Sequence, residues 1–309
     1  MVDIGGRRLH IQTAGTGRPT VILESGISAS SLNWALVQRR VAQWTTVVSY
    51  DRAGFGWSDP AGHSCTAADA VLDLAAMIEH AGLTGPFILA GHSFGGLVVR
   101  RFQQQYPKLV AGMVLVDPVV RGEWRDLTPQ RAAMLARGAK LSRRGALLAR
   151  MGVVRWALGL LMNGSRTLPN LIARVSAGSG AGVMERLTGE VKKIPKELWP
   201  AIADHWSEER CFRGLADGLE NLPLSVTQID EDRSLGDLPL AVLSAANASP
   251  EALREHEHDS RLSSCGEHIV VPNTGHWIQL DAPDAVVTAI RRAASPVGPA
   301  VLPPFKISK

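Results

Sequence analysis

The 309-residue chain predicts an α/β fold, a mostly parallel sheet with helices on both faces, from three observations. Short β-branched runs alternate with stretches of helical periodicity from Thr20 to Asp117. The alternation stops between Val119 and Leu235, then resumes from Pro239 to Arg292. Strands that are joined through helices return to the same end of the sheet and therefore run parallel. In such sheets the functional residues gather where the strands end, at the carboxyl edge.

Taken in order, Arg8-Leu9-His10-Ile11-Gln12 alternates as a half-buried strand does, and Ala14-Gly15-Thr16-Gly17 turns the chain. Thr20-Val21-Ile22-Leu23 is a buried strand ending at Glu24-Ser25-Gly26-Ile27-Ser28, and Ser30-Ser31-Leu32-Asn33-Trp34 begins a helix. Val47-Val48-Ser49-Tyr50 is the next strand, closed by Asp51-Arg52-Ala53-Gly54-Phe55-Gly56-Trp57-Ser58, in which Asp51 and Arg52 are expected to form a structural turn and ion pair. A helix follows from Thr66 to His80, with Val71, Leu74, Ala75 and Ile78 on one side. Phe87 to Ala90 is a strand, the next helix runs to Tyr106, and Val114-Leu115-Val116-Asp117 is a further strand.

From Val119 to Leu235 the chain is rich in Leu, Ala and Arg, with loop-like breaks at Gly164-Ser165, Gly178-Ser179-Gly180 and Ile194-Pro195, and reads as a helical insertion. Leu147 to Met162, with Trp156 among aliphatics, is either an apolar wall for a substrate or a helix packed on the top of the sheet. Strands return at Pro239 to Leu243 and His268 to Val271, and a helix covers Pro283 to Arg292. The expected organisation is a core of residues 1–118 and 236–294, an insertion over 119–235, and a proline-bearing extended tail over 295–309.

With 45% hydrophobic residues the chain has enough apolar surface for a sizeable core, and its net charge of +4 is modest. The positive excess is local. Nine Arg or Lys lie between Arg121 and Arg155 against only Glu123 and Asp126. This stretch is read first as a solvated helix face, with an anionic substrate or membrane surface as the alternatives. No aromatic-interleaved basic surface accompanies it, so no nucleic-acid partner is expected. Cys65, Cys211 and Cys265 are odd in number and widely spaced, as in reduced thiols of a cytoplasmic protein. The amino terminus carries no apolar leader core, and no run is long enough for stable membrane insertion. No zinc-ligand spacing is present, so no metal is expected.

The chemistry centres on Gly91-His92-Ser93-Phe94-Gly95-Gly96, set directly between a strand and a helix. A serine hydroxyl attacks a carbonyl only when a sharp, strained turn exposes it at a strand end, and glycines at 91 and 95 remove the Cβ atoms that would collide there. The helix that follows aims its unpaired N–H groups and positive dipole end at an oxyanion. Ser93 needs a base, and His276 in Asn273-Thr274-Gly275-His276-Trp277 follows the last strand, where a loop can carry its imidazole over the turn. His92 points elsewhere and is expected to pack or support. His256, His258 and His268 lie before or within the strand that should deliver the base. Trp34, Trp57, Trp277 and Phe94 are candidates for an acyl pocket or plain core.

Gly6-Arg7-Arg8-Leu9-His10, Leu23-Glu24-Ser25-Gly26, Tyr50-Asp51-Arg52-Ala53-Gly54-Phe55-Gly56-Trp57-Ser58, the serine hexapeptide, Val114-Leu115-Val116-Asp117-Pro118 and Gly275-His276 occur in an order that resembles the α/β-hydrolase fold superfamily. The resemblance spans about residues 4–118 and 238–293. It implies an eight-stranded core with a helical cap inserted after strand 6, and hydrolysis of an ester, thioester, amide or related bond of a small-molecule acyl substrate through an acyl-serine, without a cofactor. Related dehalogenases and epoxide hydrolases carry aspartate where Ser93 stands. A carbon–carbon hydrolase, a cofactorless haloperoxidase-like enzyme or a non-catalytic ligand receptor on the same scaffold remain the alternatives.

Two departures from the superfamily pattern shape the expected site. Many members have His-Gly where this chain has Ser25-Gly26. The donor needed there is a backbone N–H, which Ile27 can supply together with Phe94. The triad acid commonly follows the seventh strand, but Ser244-Ala245-Ala246-Asn247-Ala248-Ser249 contains no carboxylate before Glu251. Some members use an acid at the end of the sixth strand, where Asp117 stands, and the order Ser93, Asp117, His276 is kept. Glu251 and the cluster Asp230, Glu231 and Asp232 are the remaining choices.

Overall fold

Both faces of the central sheet are buried, and the strand sequences show why. The computed structural model describes residues 1–62, 64–162, 192–230, 232–295 and Lys306. Its main sheet has the order β3-β5-β4-β6-β7-β8-β9, formed by Ile11–Ala14 (β3), Val47–Tyr50 (β5), Thr20–Glu24 (β4), Phe87–His92 (β6), Val110–Val116 (β7), Leu240–Ala245 (β8) and Gly266–Val271 (β9). Only the β3–β5 pair is antiparallel among these neighbours. Alternate residues of the central strands feed two cores. Ile22, Leu89, Leu115 and Val242 pack with the helices Ala67–His80 (α2) and Phe94–Gln105 (α3). Val21, Leu23, Ala90, Val114, Val116 and Leu243 pack with Ala35–Val41 (α1) and the closing helix, Pro283–Ala294. Strands covered on both faces must be apolar at nearly every position, as these are.

Among the described residues the main sheet has seven strands rather than the expected eight. The segment at the amino terminus pairs with itself instead, Val2–Asp3 (β1) against Arg8–Leu9 (β2), as a separate two-stranded ribbon. Gly5 and Gly6 turn it at φ of 95° and 98°, values that favour glycine. The Asp3 carboxylate accepts both of their N–H groups, at 2.9 and 3.1 Å. The strand expected over 8–12 is accordingly split at His10, whose carbonyl accepts the Asp51 N–H at 3.0 Å.

Local signals set the helix starts. Thr66 and Asp69 form a reciprocal capping box at α2. Between β7 and β8 the described chain is helical: Arg121–Arg125 (α4), Pro129–Arg150 (α5), Val153–Met162 (α6), Trp199–Trp206 (α7), Glu209–Glu220 (α8) and Leu222–Thr227 (α9). After β8 come Pro250–Ser260 (α10), Ile278–Asp281 (α11) and Pro283–Ala294 (α12). Thr128 and Ser249 cap α5 and α10 by accepting the Arg131 and Ala252 N–H groups, each with proline at the first helical position. The stretch 147–162 is not one helix, since Gly152 breaks it at φ 77°. The breaks at Gly164-Ser165 and Gly178-Ser179-Gly180 and nearly all of the 295–309 tail lie outside the described residues.

Two attachments hold the helical segment on the sheet. Arg100 of α3 and Arg121 of α4 converge on the buried Asp259 of α10, with N···O distances of 2.8 and 2.6 Å. Glu255 accepts the Arg121 and Gly122 N–H groups at 2.6 and 3.0 Å. On the other side the Gly56 peptide is gripped from both ends: its N–H donates to His205 Nδ1 of α7 at 2.8 Å, and its carbonyl accepts from Arg210 Nη2 of α8 at 2.9 Å. Helix α8 approaches the sheet closely through Gly214 and Gly218. A Cβ at either would lie within about 3.0 Å of Phe55 or Ile27.

Removing the shared acid leaves Arg100 buried without its counter-charge. Asp259→Asn is therefore expected to cost about 3–5 kcal/mol, read as a lowered urea midpoint. His205 is buried and neutral, its pKa pushed down to about 4 by burial, so unfolding takes up a proton at pH values between about 4 and the ordinary histidine value of about 6.5. Its stabilisation is full above that window and is lost as pH falls through it. Across the middle of the window, wild-type stability should fall by about 1.4 kcal/mol per pH unit more than that of His205→Asn, measured as urea unfolding at stepped pH. Identical slopes for the two proteins would rule out a neutral buried His205.

Candidate active site

Parallel registration brings three strand ends to one level. Glu24 of β4 pairs with Gly91 of β6, His92 of β6 with Val116 of β7, and Val116 with Leu243 of β8. The residues just beyond these ends form the site. Ser93 leaves β6 at φ 53° and Asp117 leaves β7 at φ 42°. The described residues contain one further non-glycine residue at positive φ, Asn273 at 59°, in the turn leading to His276. Such backbone angles are costly for residues with a Cβ, and they cluster where the fold over-determines a functional turn. The glycines of the hexapeptide are sterically required: a Cβ on Gly91 would lie 2.4 Å from the Gly95 carbonyl oxygen, and one on Gly95 would lie 2.5 Å from that of Glu24.

Asp117 makes three hydrogen bonds that tie the end of β7 to two other segments. Its N–H donates to the Leu243 carbonyl at 2.7 Å, Oδ1 accepts the Ala245 N–H at 2.9 Å, and Oδ2 accepts from His276 Nδ1 at 2.7 Å. Burial works to raise its pKa, but the hydrogen bonds from His276 and Ala245 outweigh it and hold the carboxyl below the ordinary aspartate value. A carboxylate only accepts, so the proton sits on His276 Nδ1 and the Nε2 lone pair is left free. The loop carrying His276 is fastened by Thr274, whose hydroxyl donates to the Val271 carbonyl at 2.7 Å, and by the Gly275 N–H, which donates to Asp281 at 2.8 Å.

His92 supports this loop from beneath. Its Nε2 donates to the His276 carbonyl at 2.8 Å, and its ring centroid lies 4.7 Å from that of His276 and 4.8 Å from that of Trp277. Burial, and repulsion from the His276 imidazole whenever that ring is protonated, push its pKa down to about 3, so it stays neutral and Nδ1 faces Gly26 as a bare lone pair. His256, His268 and Ser244 form a separate chain. The Ser244 hydroxyl lies 2.7 Å from His256 Nδ1 and 2.8 Å from His268 Nε2, and His256 Nε2 donates to the Pro118 carbonyl at 3.0 Å. His258 is exposed and lies 3.3 Å from Asp232.

Of the other carboxylates weighed for the site, none among the described residues lines the cavity. Glu251 is exposed on α10 and accepts from Arg254 at 2.9 Å. Asp232 is exposed and Asp230 lies against Gln104, while Glu231 is outside the described residues. The expected pairing around Asp51 and Arg52 is also different. Asp51 accepts the Ser31 N–H at 2.7 Å, the Trp57 N–H at 3.1 Å and His10 Nδ1 at 2.8 Å. The counter-charge of Arg52 is the buried Glu24, which also accepts the Tyr50 hydroxyl. Arg52 donates in addition to the carbonyls of Ser25 and Gly26. This network holds the loop that carries Ile27, and sequence reasoning missed it. The signal was present: a carboxylate ending an otherwise aliphatic buried strand requires a partner, and Tyr50 and Arg52 end the neighbouring strand.

A cavity of about 590 Å³ opens over these groups, lined by Ser93, Asp117 and His276 at its base. Ile27 and Phe94 also face it, and neither backbone N–H has an acceptor among the described residues. Trp124, Met134, Leu135, Leu219 and Leu222 form an apolar wall, with Glu123, Asn247 and Ser249 as polar breaks. Among the described residues the wall therefore comes from α4, α5, α8 and α9, and none of residues 147–160 lines it. Trp34 is wholly core, Trp57 is part-exposed against His10, and Trp277 packs on His92.

Among the described residues no helix is long and apolar enough to cross a membrane and no cluster of metal ligands is found. A model of the alpha/beta hydrolase family matches residues 21–289. An AB hydrolase superfamily protein of Gibberella zeae is 35% identical over 107 residues, 32% of this chain and 32% of its own length. The matches span only 18 to 33% of the lengths of the first curated relatives. Among solved structures, a thermophilic esterase from Thermogutta terrifontis is 23% identical with a TM-score of 0.60, covering 92% of each chain. A putative epoxide hydrolase from Pseudomonas aeruginosa is 18% identical with a TM-score of 0.68, covering 95% of this chain and 97% of its own. At such identities the likeness to the two structures is one of fold. With a family model matched across nearly the whole core and a mostly parallel sheet flanked by helices, the chain belongs to the alpha/beta hydrolase family.

Proposed function

We propose that this protein is a serine hydrolase that cleaves carboxylic esters, or the related thioesters, amides or lactones, of small to medium apolar acyl groups. The observation that carries the reading is the 2.7 Å contact between His276 Nδ1 and Asp117 Oδ2 in the cavity where Ser93 stands on its strained turn. His276 Nε2 accepts the Ser93 proton as Oγ attacks the carbonyl carbon. Asp117 fixes the tautomer and stabilises the imidazolium that forms. The Ile27 and Phe94 N–H groups bind the oxyanion, aided by the positive end of α3. Collapse of the tetrahedral intermediate expels the leaving group with the proton from His276. Water activated by the same imidazole then releases the acid from Ser93.

The helices between β7 and β8 act as a cap whose apolar wall receives the acyl chain, and the 590 Å³ volume fits a small or medium group rather than a large one. Three free thiols, Cys65, Cys211 and Cys265, support a reducing, cytoplasmic setting. No cofactor or metal takes part in this sequence of steps.

Ser93→Ala is expected to abolish both turnover of p-nitrophenyl esters and covalent labelling by a fluorophosphonate. Undiminished labelling of that variant would sink the nucleophile assignment. Asp117→Asn should lower kcat by about four orders of magnitude, whereas Glu251→Gln should stay near the wild-type rate. The reverse ranking would transfer the acid's role to Glu251.

A further inference from the structure

Helix α5 carries Arg131, Arg137, Lys140, Arg143, Arg144 and Arg150 and no acidic residue. Two of these cations are neutralised by neighbours: Arg131 lies 3.3 Å from Glu123, and Arg143 lies 2.6 Å from Glu220. Arg137, Lys140 and Arg144 have no acidic partner among the described residues. Their spacing of three and four residues places them on one stripe of the helix. The stripe continues through Leu147 to Met151, which are 58% and 73% exposed, and Trp156 of α6 is 53% exposed. The stripe does not serve the core, because α5 buries Leu135, Ala139, Ser142, Ala146 and Ala149 instead.

A run of cations continued along the same stripe by exposed Leu147 and Met151 suits a surface that is anionic outside and apolar just beneath. Phosphate headgroups match the charges, and the acyl boundary matches the apolar side chains. A purely polar polyanion would leave the apolar side chains in water. Met134, which lines the cavity and is 54% exposed, lies one turn before Arg137 on α5. The exposed part of the cavity lining at Met134 thus lies one helical turn from the first cation of the stripe.

We propose that the α5–α6 face is a docking surface for anionic lipid bilayers, lying in the headgroup plane and presenting the cavity mouth to it. Acyl esters of lipid origin then become the substrate class. That consequence rests on the serine-hydrolase reading, while the docking itself does not.

The test is co-sedimentation of the full-length protein with vesicles of phosphatidylcholine alone and of phosphatidylcholine mixed with phosphatidylglycerol. Pelleting is expected with the anionic vesicles only, and should be lost when salt is raised to about 1 M, where screening acts within about 3 Å. Arg137→Glu/Lys140→Glu/Arg144→Glu should lower the partition coefficient by roughly a hundredfold or more. Leu147→Ala/Met151→Ala should lower it too without a change in charge. Both variants should keep the wild-type circular dichroism and turnover of a soluble p-nitrophenyl ester. Absence of pelleting, equal pelleting with neutral vesicles, or indifference to the charge reversal would overturn the proposal. Retention on polyglutamate without vesicle binding would also overturn it, assigning the stripe to an acidic protein. Vesicle binding by a wild-type protein that neither hydrolyses esters nor takes the fluorophosphonate would support docking and overturn the serine-hydrolase reading alone.

Discussion

The Asp117 carboxylate is the joint on which the site depends. One oxygen takes a backbone N–H from the end of β8, the other takes the imidazole delivered by the loop after β9, and its own N–H is tied to Leu243. A carboxylate so placed stays ionised despite burial because its charge is met by hydrogen bonds rather than by water. The same contacts hold three chain segments at a common level. The positive φ of Asp117 is a strain that these bonds over-determine, which is how a compact fold retains an unfavourable backbone at a working position.

A second buried charge organises the opposite side of the cavity. Glu24, Tyr50 and Arg52 lock the end of β4 to the end of β5, and Arg52 extends to the carbonyls of Ser25 and Gly26. The Arg52 guanidinium also lies 5.2 Å from the Phe94 ring centroid, so one cation orders both segments whose N–H groups face the cavity. His92 links this side to the base, with Nε2 bonded to the His276 carbonyl and its ring beneath the imidazole. The site is thus rigid at its floor. Its roof is attached separately, through Asp259 at one end and the Gly56 peptide at the other. An apolar wall carried on helices pinned at two places can differ in shape without disturbing the strand ends beneath it.

Much of this was legible in the residues. The serine turn announces itself because no other arrangement needs glycine on both sides of an exposed hydroxyl between a strand and a helix. Chain position after the last strand singles out His276, and the lack of any carboxylate between Leu243 and Glu251 singles out Asp117; the two side chains meet at 2.7 Å beside the cavity. Other features were not legible. Arg52 reads as a partner for its neighbour Asp51 along the chain, but its counter-charge came from a different strand. The amino-terminal strand reads as part of the sheet, yet Gly5 and Gly6 allow it to pair with itself. The 147–162 run reads as a candidate wall, while among the described residues the wall comes from α4, α5, α8 and α9.

The sequence by itself determined which residues form strands and helices, where the strained Ser93 turn lies, and the order in which Ser93, Asp117 and His276 follow. Each of these is written in local periodicity, in the steric needs of a turn, or in chain position. Tertiary structure alone decided which charges meet, which carboxylate reaches the imidazole, and which helices enclose the cavity. Those outcomes depend on strand register and on the approach of helices far apart in the chain, and no local pattern encodes a distance between segments that meet only after folding.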